Sequence, residues 1–169
     1  MKVTGYGLRE AIKLHKLRSD EAASSFDSTL KIFAGDTKET PQEVVERYLA
    51  AEAAVSRLQA AQAEYNLIVK VTIDGVSITL SEAIKRVGGL GRAEKMWRSA
   101  ASPKKDRYGS SIEDTRNATI EYAKPTLSPT EAAVFASKVA KTAGRFRAAI
   151  AAANTVEVDI KDLDPTLLE

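Results

Sequence analysis

Between Thr40 and Trp97 the spacing of apolar residues changes twice, from threes and fours to twos and back again. Few folds accept that order. Val44, Tyr48, Ala51, Val55, Leu58, Gln62, Tyr65 and Val69 keep one seam of a helix facing a partner. Val69, Val71 and Ile73 then alternate with polar residues, as do Val76, Ile78 and Leu80. Asp74-Gly75 stands between the two alternating runs, and that pair is the strongest short-range signal for a two-residue β-hairpin turn. Thr79-Leu80-Ser81-Glu82 follows at once, a capping box that returns the chain to helix. The pattern predicts a helix from Thr40 to about Asn66, a hairpin over about 69–79, and a helix after it.

The flanking segments extend the helical reading. Leu8, Ile12, His15, Ser19, Ala22, Phe26, Leu30 and Phe33 hold a period near 3.6, which predicts a first helix over about 8–33. Thr40-Pro41 with Glu43 is a capping box with proline at the first helical position. In the third helix Gly88, Gly89 and Gly91 each cost roughly 1 kcal/mol against alanine, which predicts a kink or a break before Arg92. Residues 102–127 read as a long polar connection, with a weak alternation over 118–122 that suits an edge strand. Ser128-Pro129-Thr130-Glu131 opens a fourth helix, with Phe135, Val139, Thr142, Phe146 and Ile150 on one side and Asn154 at its end. Val156, Val158 and Ile160 alternate and suit a C-terminal strand that joins the hairpin, and residues 161–169 read as a tail. The fold class is mainly α: an antiparallel helical bundle or long helical hairpin, carrying a β-hairpin and a possible C-terminal strand, in one module of 169 residues.

Composition narrows the chemistry. Apolar residues make up 44% of the chain but aromatics only 6%, so much of the apolar content is alanine and the helices pack thinly. That favours partners at the Val44–Val69 seam, and Tyr48, Val55, Leu58 and Tyr65 are the candidate self-association residues. The chain has no cysteine and one histidine, which removes disulfides, thiolate nucleophiles and the commonest zinc sets. Carboxylates in the tail are too sparse for a calcium loop. No metal or cofactor is expected. His15, Ser19 and Asp20 lie together on one helix, where a regular backbone does not converge them into a triad, so no catalytic residue is assigned. Residues 1–7 lack a signal peptide's apolar run, and no stretch reaches the length of a membrane span, so the cytoplasm is the default compartment, or a virion for a phage-encoded chain.

Basic residues cluster, although the net charge is only +2. Arg92, Lys95 and Arg98 lie on the third helix. Lys138, Lys141 and Arg145 share a face of the fourth. This candidate basic face either follows a phosphate backbone or is a solvated surface paired with the acidic second helix. Gly88-Gly89-Leu90-Gly91 lacks the preceding strand and the Lys-Ser/Thr ending of a phosphate loop.

Short words in a fixed order also resemble the septicolysin-like family of bacterial helical proteins. They are Leu8-Arg9-Glu10-Ala11-Ile12, Tyr65-Asn66, Asp74-Gly75, Thr79-Leu80-Ser81-Glu82-Ala83-Ile84, Asp106-Arg107-Tyr108 and Asn154-Thr155-Val156-Glu157. The resemblance implies two long helices, a tight hairpin, a further helix, a polar connection and a last helix. It implies no mechanism. The expected role is a non-enzymatic structural subunit of a homo-oligomer or larger particle, a phage virion included. The alternative is a nucleic-acid-associated accessory protein using the basic face.

Overall fold

The structure, a computed structural model, describes residues 1–31, 39–102 and 127–168. The expected polar connection, the edge strand over 118–122 and Phe33 lie outside those residues. Elements follow the order β1 (Lys2–Val3), α1 (Gly5–Thr29), α2 (Pro41–Ile68), β2 (Lys70–Ile73), β3 (Val76–Thr79), α3 (Leu80–Ala101), α4 (Pro129–Ala153) and β4 (Val158–Asp159), with a 3-10 turn at Pro165–Leu168. The protein is mainly helical with small antiparallel sheets.

The chain forms two compact units, where its sequence reads as one module. The first comprises Met1–Ile84 and Ala148–Glu169, and the second Lys85–Arg147. The boundaries fall inside α3 and α4, so no linker composition marks them.

In the first unit α1 and α2 pack as an antiparallel hairpin. Thr4 caps α1, its hydroxyl accepting from Gly7 N–H at 3.0 Å. Thr40 and Glu43 form the reciprocal capping box of α2. Leu8, Ala11, His15, Ser19 and Ala22 are buried on α1, and Val44, Ala51, Ala54, Val55, Leu58, Ala61 and Tyr65 on α2. The predicted seam therefore closes within the chain. Helix α2 runs to Ile68, two residues beyond the expected end at Asn66, because Val69 N–H still donates to Tyr65 O at 3.0 Å.

The hairpin forms as the alternation predicts. Lys70, Val71, Thr72 and Ile73 oppose Thr79, Ile78, Ser77 and Val76. Asp74 and Gly75 both take positive φ, 51° and 81°, the signature of a two-residue I′ turn. Val69, Val71, Ile78 and Leu80 point into the core, and Leu80 N–H donates to Val69 O at 2.9 Å.

The C-terminal strand is present but pairs elsewhere. Lys2 opposes Asp159 and Val3 opposes Val158, so β4 joins the N-terminal strand instead of the hairpin. Ile160 N–H donates to Met1 O at 3.0 Å and the N-terminal ammonium bonds Asp159, which fastens the pair. The described part of the tail forms a turn as well. Asp164 accepts from Thr166 N–H at 3.0 Å and starts the 3-10 turn.

In the second unit α3 runs unbroken through Gly88, Gly89 and Gly91, against the expected break. Glycine lowers helix propensity but keeps its N–H, so the hydrogen-bond ladder survives. Glu82 N–H donates to Thr79 Oγ at 3.1 Å where α3 opens, and Ser128 and Glu131 cap α4 reciprocally. Trp97 stacks on Phe135 at 4.9 Å between centroids, which ties α3 to α4 inside this unit. Ala132, Ala136, Ala143 and Phe146 form the buried stripe of α4.

Candidate functional site

Val55, Leu58 and Tyr65 are candidates that the structure removes from the surface. They are 5%, 0% and 0% exposed and line the α1–α2 seam. The reason is that a heptad serves an intrachain hairpin as well as a coiled coil between chains. Tyr48 is different. At the open end of the hairpin it lines a shallow groove of about 290 Å³ with Ala22, Ala23, Phe26, Val44 and Val45. Nothing in that lining is charged. Val45, Tyr48 and Leu49 remain 42%, 37% and 58% exposed, so the groove continues onto the outer face of α2. The same outer face carries the exposed Ala53, Ala60 and Leu67. Helix α2 is thus apolar on two sides, of which the described residues cover one.

His15 lies at the floor of a second cleft, about 490 Å³, with Arg18, Glu21, Arg47, Ala51 and Thr166 in its walls. The imidazole is 7% exposed. Its Nε2 lies 3.1 Å from Leu167 O, so the hydrogen sits on Nε2 and donates to that carbonyl. Among the described residues Nδ1 has no hydrogen-bond partner. Ser19, which the helix places one turn on, donates to Glu52 at 2.6 Å. Thr166 donates to Asp164 at 2.8 Å. Both hydroxyls near the ring therefore have their hydrogen committed to a carboxylate, and the ring anchors the C-terminal turn.

A buried polar node went unnoticed in the sequence. Tyr65 Oη lies 2.8 Å from both Ala153 O and Val156 O, so its single hydrogen is shared between two carbonyls at the end of α4. Asn154 is buried beside it. Its Oδ1 accepts from Arg9 at 2.8 Å, its Nδ2 donates to Ile150 O at 2.7 Å, and its carbonyl accepts from Tyr6 N–H at 3.3 Å. Gly5 completes the node, because a Cβ there would sit 2.3 Å from Asn154 Oδ1 and 2.8 Å from Tyr65 Cε1. Burial pushes the Tyr65 phenol up, against smaller opposing pulls from the Gly5 backbone and Arg9. These hydrogen bonds hold the helix ends together.

The basic face lies entirely in the second unit. Arg92, Lys95, Arg98, Lys138, Lys141 and Arg145 are all exposed. Arg98 is turned aside, its Nε 2.8 Å from Glu94. Lys138 Nζ sits 5.7 Å over the Phe135 ring, a cation–π contact that leaves its charge in solvent. Gly89 and Gly91 have no atom of the described residues within 4 Å of an added Cβ, so no neighbouring backbone requires them. Four exposed carboxylates are held below the usual range. Backbone and hydroxyl hydrogen bonds do this for Glu43 through Thr40, Glu131 through Ser128 and Asp164 through Thr166, and the N-terminal ammonium does it for Asp159. Among the described residues no group of His, Asp or Glu is placed to hold a metal, and no helix is long and apolar enough to cross a membrane.

The fold defines a class: a mainly helical protein built on an antiparallel helix pair that ends in a β-hairpin. A crystal structure of a functionally unknown conserved protein from Corynebacterium diphtheriae is similar, with a TM-score of 0.70. It is 16% identical and covers 94% of this chain and 100% of its own, a likeness of fold. No family model and no curated protein matches the chain.

Proposed function

We propose that the protein is a non-catalytic assembly subunit, which joins copies of itself or the other subunits of a larger particle. The observation that carries the reading is the apolar groove around Tyr48, left open by the described residues. Its wall continues along α2 through Val45 and Leu49, large apolar side chains more than a third exposed. Surfaces of this kind, contiguous and rimmed by polar residues, serve as contact sites. The seam that suggested assembly is occupied within the chain, so the contact moves to the opposite side of the helix.

Native mass by light scattering tests it, at high salt so that apolar contacts dominate. The expected result is a multiple of the chain mass, which falls to one chain in Tyr48→Asp and Leu49→Asp while the helical circular dichroism is kept. A monomer that neither substitution changes overturns the reading that copies of the chain join one another.

A further inference from the structure

The net charge of +2 hides a division that follows the two compact units. Lys85–Arg147 carries fourteen Lys and Arg against six Asp and Glu, an excess of eight. The rest of the chain carries eleven against seventeen, a deficit of six. Within the described part of the second unit nine cations face two carboxylates, Glu94 and Glu131. Whatever pairs form there, at least seven positive charges have no acid of that part to balance them.

The cations are also arranged. On α4 Lys138, Lys141 and Arg145 fall at helical spacing on the side away from the buried Ala132, Ala136 and Ala143. On α3 Lys85, Arg92 and Lys95 fall on the side away from Trp97, which faces inward to Phe135. Each helix thus presents outward a stripe of three cations with no acid in it. One stripe extends roughly 10 Å along its axis. That is about the axial length of three phosphates on one nucleic-acid strand.

We propose that α3 and α4 of the second unit bind the phosphodiester backbone of a nucleic acid, gripped by these stripes without base reading. Of the three large aromatics in the described part of this unit, Phe146 is buried and Trp97 and Phe135 are stacked on each other, which leaves none as a platform for bases or as an anchor in a lipid interface. Rows of point charges along a helix suit a linear, evenly charged polymer. They suit the first unit of a second copy less well, since its seventeen acids are interspersed with eleven cations.

Fluorescence anisotropy tests the proposal, with the full chain titrated onto labelled duplex DNA and single-stranded RNA of arbitrary sequence at several salt concentrations. The two probes separate the sources of the shared phosphodiester. The expected result is a log–log salt slope of about −3 to −5, since each neutralised phosphate contributes about 0.9 on a duplex. Lys138→Gln/Lys141→Gln/Arg145→Gln should flatten the slope by about 3. Lys13→Gln/Lys16→Gln, exposed on α1, should leave it unchanged. Circular dichroism of each variant guards against loss of fold. Absence of binding to both probes at low salt overturns the proposal, as does a slope the triple variant does not change. Uptake on anionic vesicles alone, or a rise in native mass at low salt without nucleic-acid binding, also overturns it. The assembly reading is separate, because it is measured at Tyr48 in high salt.

Discussion

The two units differ in what holds them. The first is closed by long-range pairing of unlike elements: a helix seam of Leu8, Val55, Leu58 and Tyr65, a buried Tyr–Asn–Arg node, and two small sheets. Among the described residues the second rests on an alanine stripe with one buried phenylalanine, Phe146, and on one aromatic stack, with its charge left on the outside. Core leucine and tyrosine contribute several times more burial than alanine. Stability therefore concentrates in the first unit, and the second keeps a surface shaped by charge.

The largest expected effect tests that difference directly. Leu58 is fully buried, so Leu58→Ala should destabilise the first unit by about 3 kcal/mol. Phe135 is 39% exposed, and Phe135→Ala should cost about 1 kcal/mol, mainly through the lost stack. Trp97, the only tryptophan, reports the second unit by fluorescence, while amide exchange along α1 and α2 reports the first. Equal losses for the two substitutions would contradict the contrast.

These features were legible in the sequence to very different degrees, for physical reasons. Capping boxes at Thr40 and Ser128, the Thr79 cap and the Asp74-Gly75 turn are local chemistry, in which each partner lies within four residues, so order alone reveals them. The seam was legible as a seam, yet periodicity carries no information on whether the facing helix belongs to the same chain. The Gly5–Tyr65–Asn154 node joins three distant stretches, and its only local trace was the placement of Tyr65 and Asn154 at helix ends. Strands of two residues, such as β1, are too short to alternate detectably. The charge division was hidden because its boundaries lie within α3 and α4 and because the two excesses nearly cancel.

A smaller effect sharpens the comparison at matched chemistry. Thr40 and Ser128 make the same cap, each accepting from the third helical N–H while a glutamate returns to the cap backbone. Thr40→Ala and Ser128→Ala should each cost about 1 kcal/mol. The Thr40 loss should register in exchange along α2, and the Ser128 loss in Trp97 fluorescence. A Ser128→Ala variant that shifts only α2 exchange would show that the two units do not behave as separate stability regions.

The smallest expected effect is in acid. Glu43, Asp159 and Asp164 in the first unit and Glu131 in the second are all held below the usual carboxylate range by hydrogen bonds or, for Asp159, the N-terminal ammonium. A carboxylate with a lowered folded pKa binds fewer protons folded than unfolded, so the unfolded state gains as protons are added. Their contribution is complete above the unfolded pKa and is lost as pH falls below about 4.5 through the folded values. All four are solvent-exposed, so each effect is small and screened by salt. Three of the four lie in the first unit, which places the acid sensitivity there despite its larger core. Between pH 6 and 3, exchange along α1 and α2 should accelerate more than Trp97 fluorescence changes. Thr40→Ala should reduce that pH dependence, because without its hydroxyl and cap geometry Glu43 returns toward its ordinary value. If Trp97 responds first, the acid-sensitive carboxylates act chiefly through Glu131, and the contrast between the units reverses under acid.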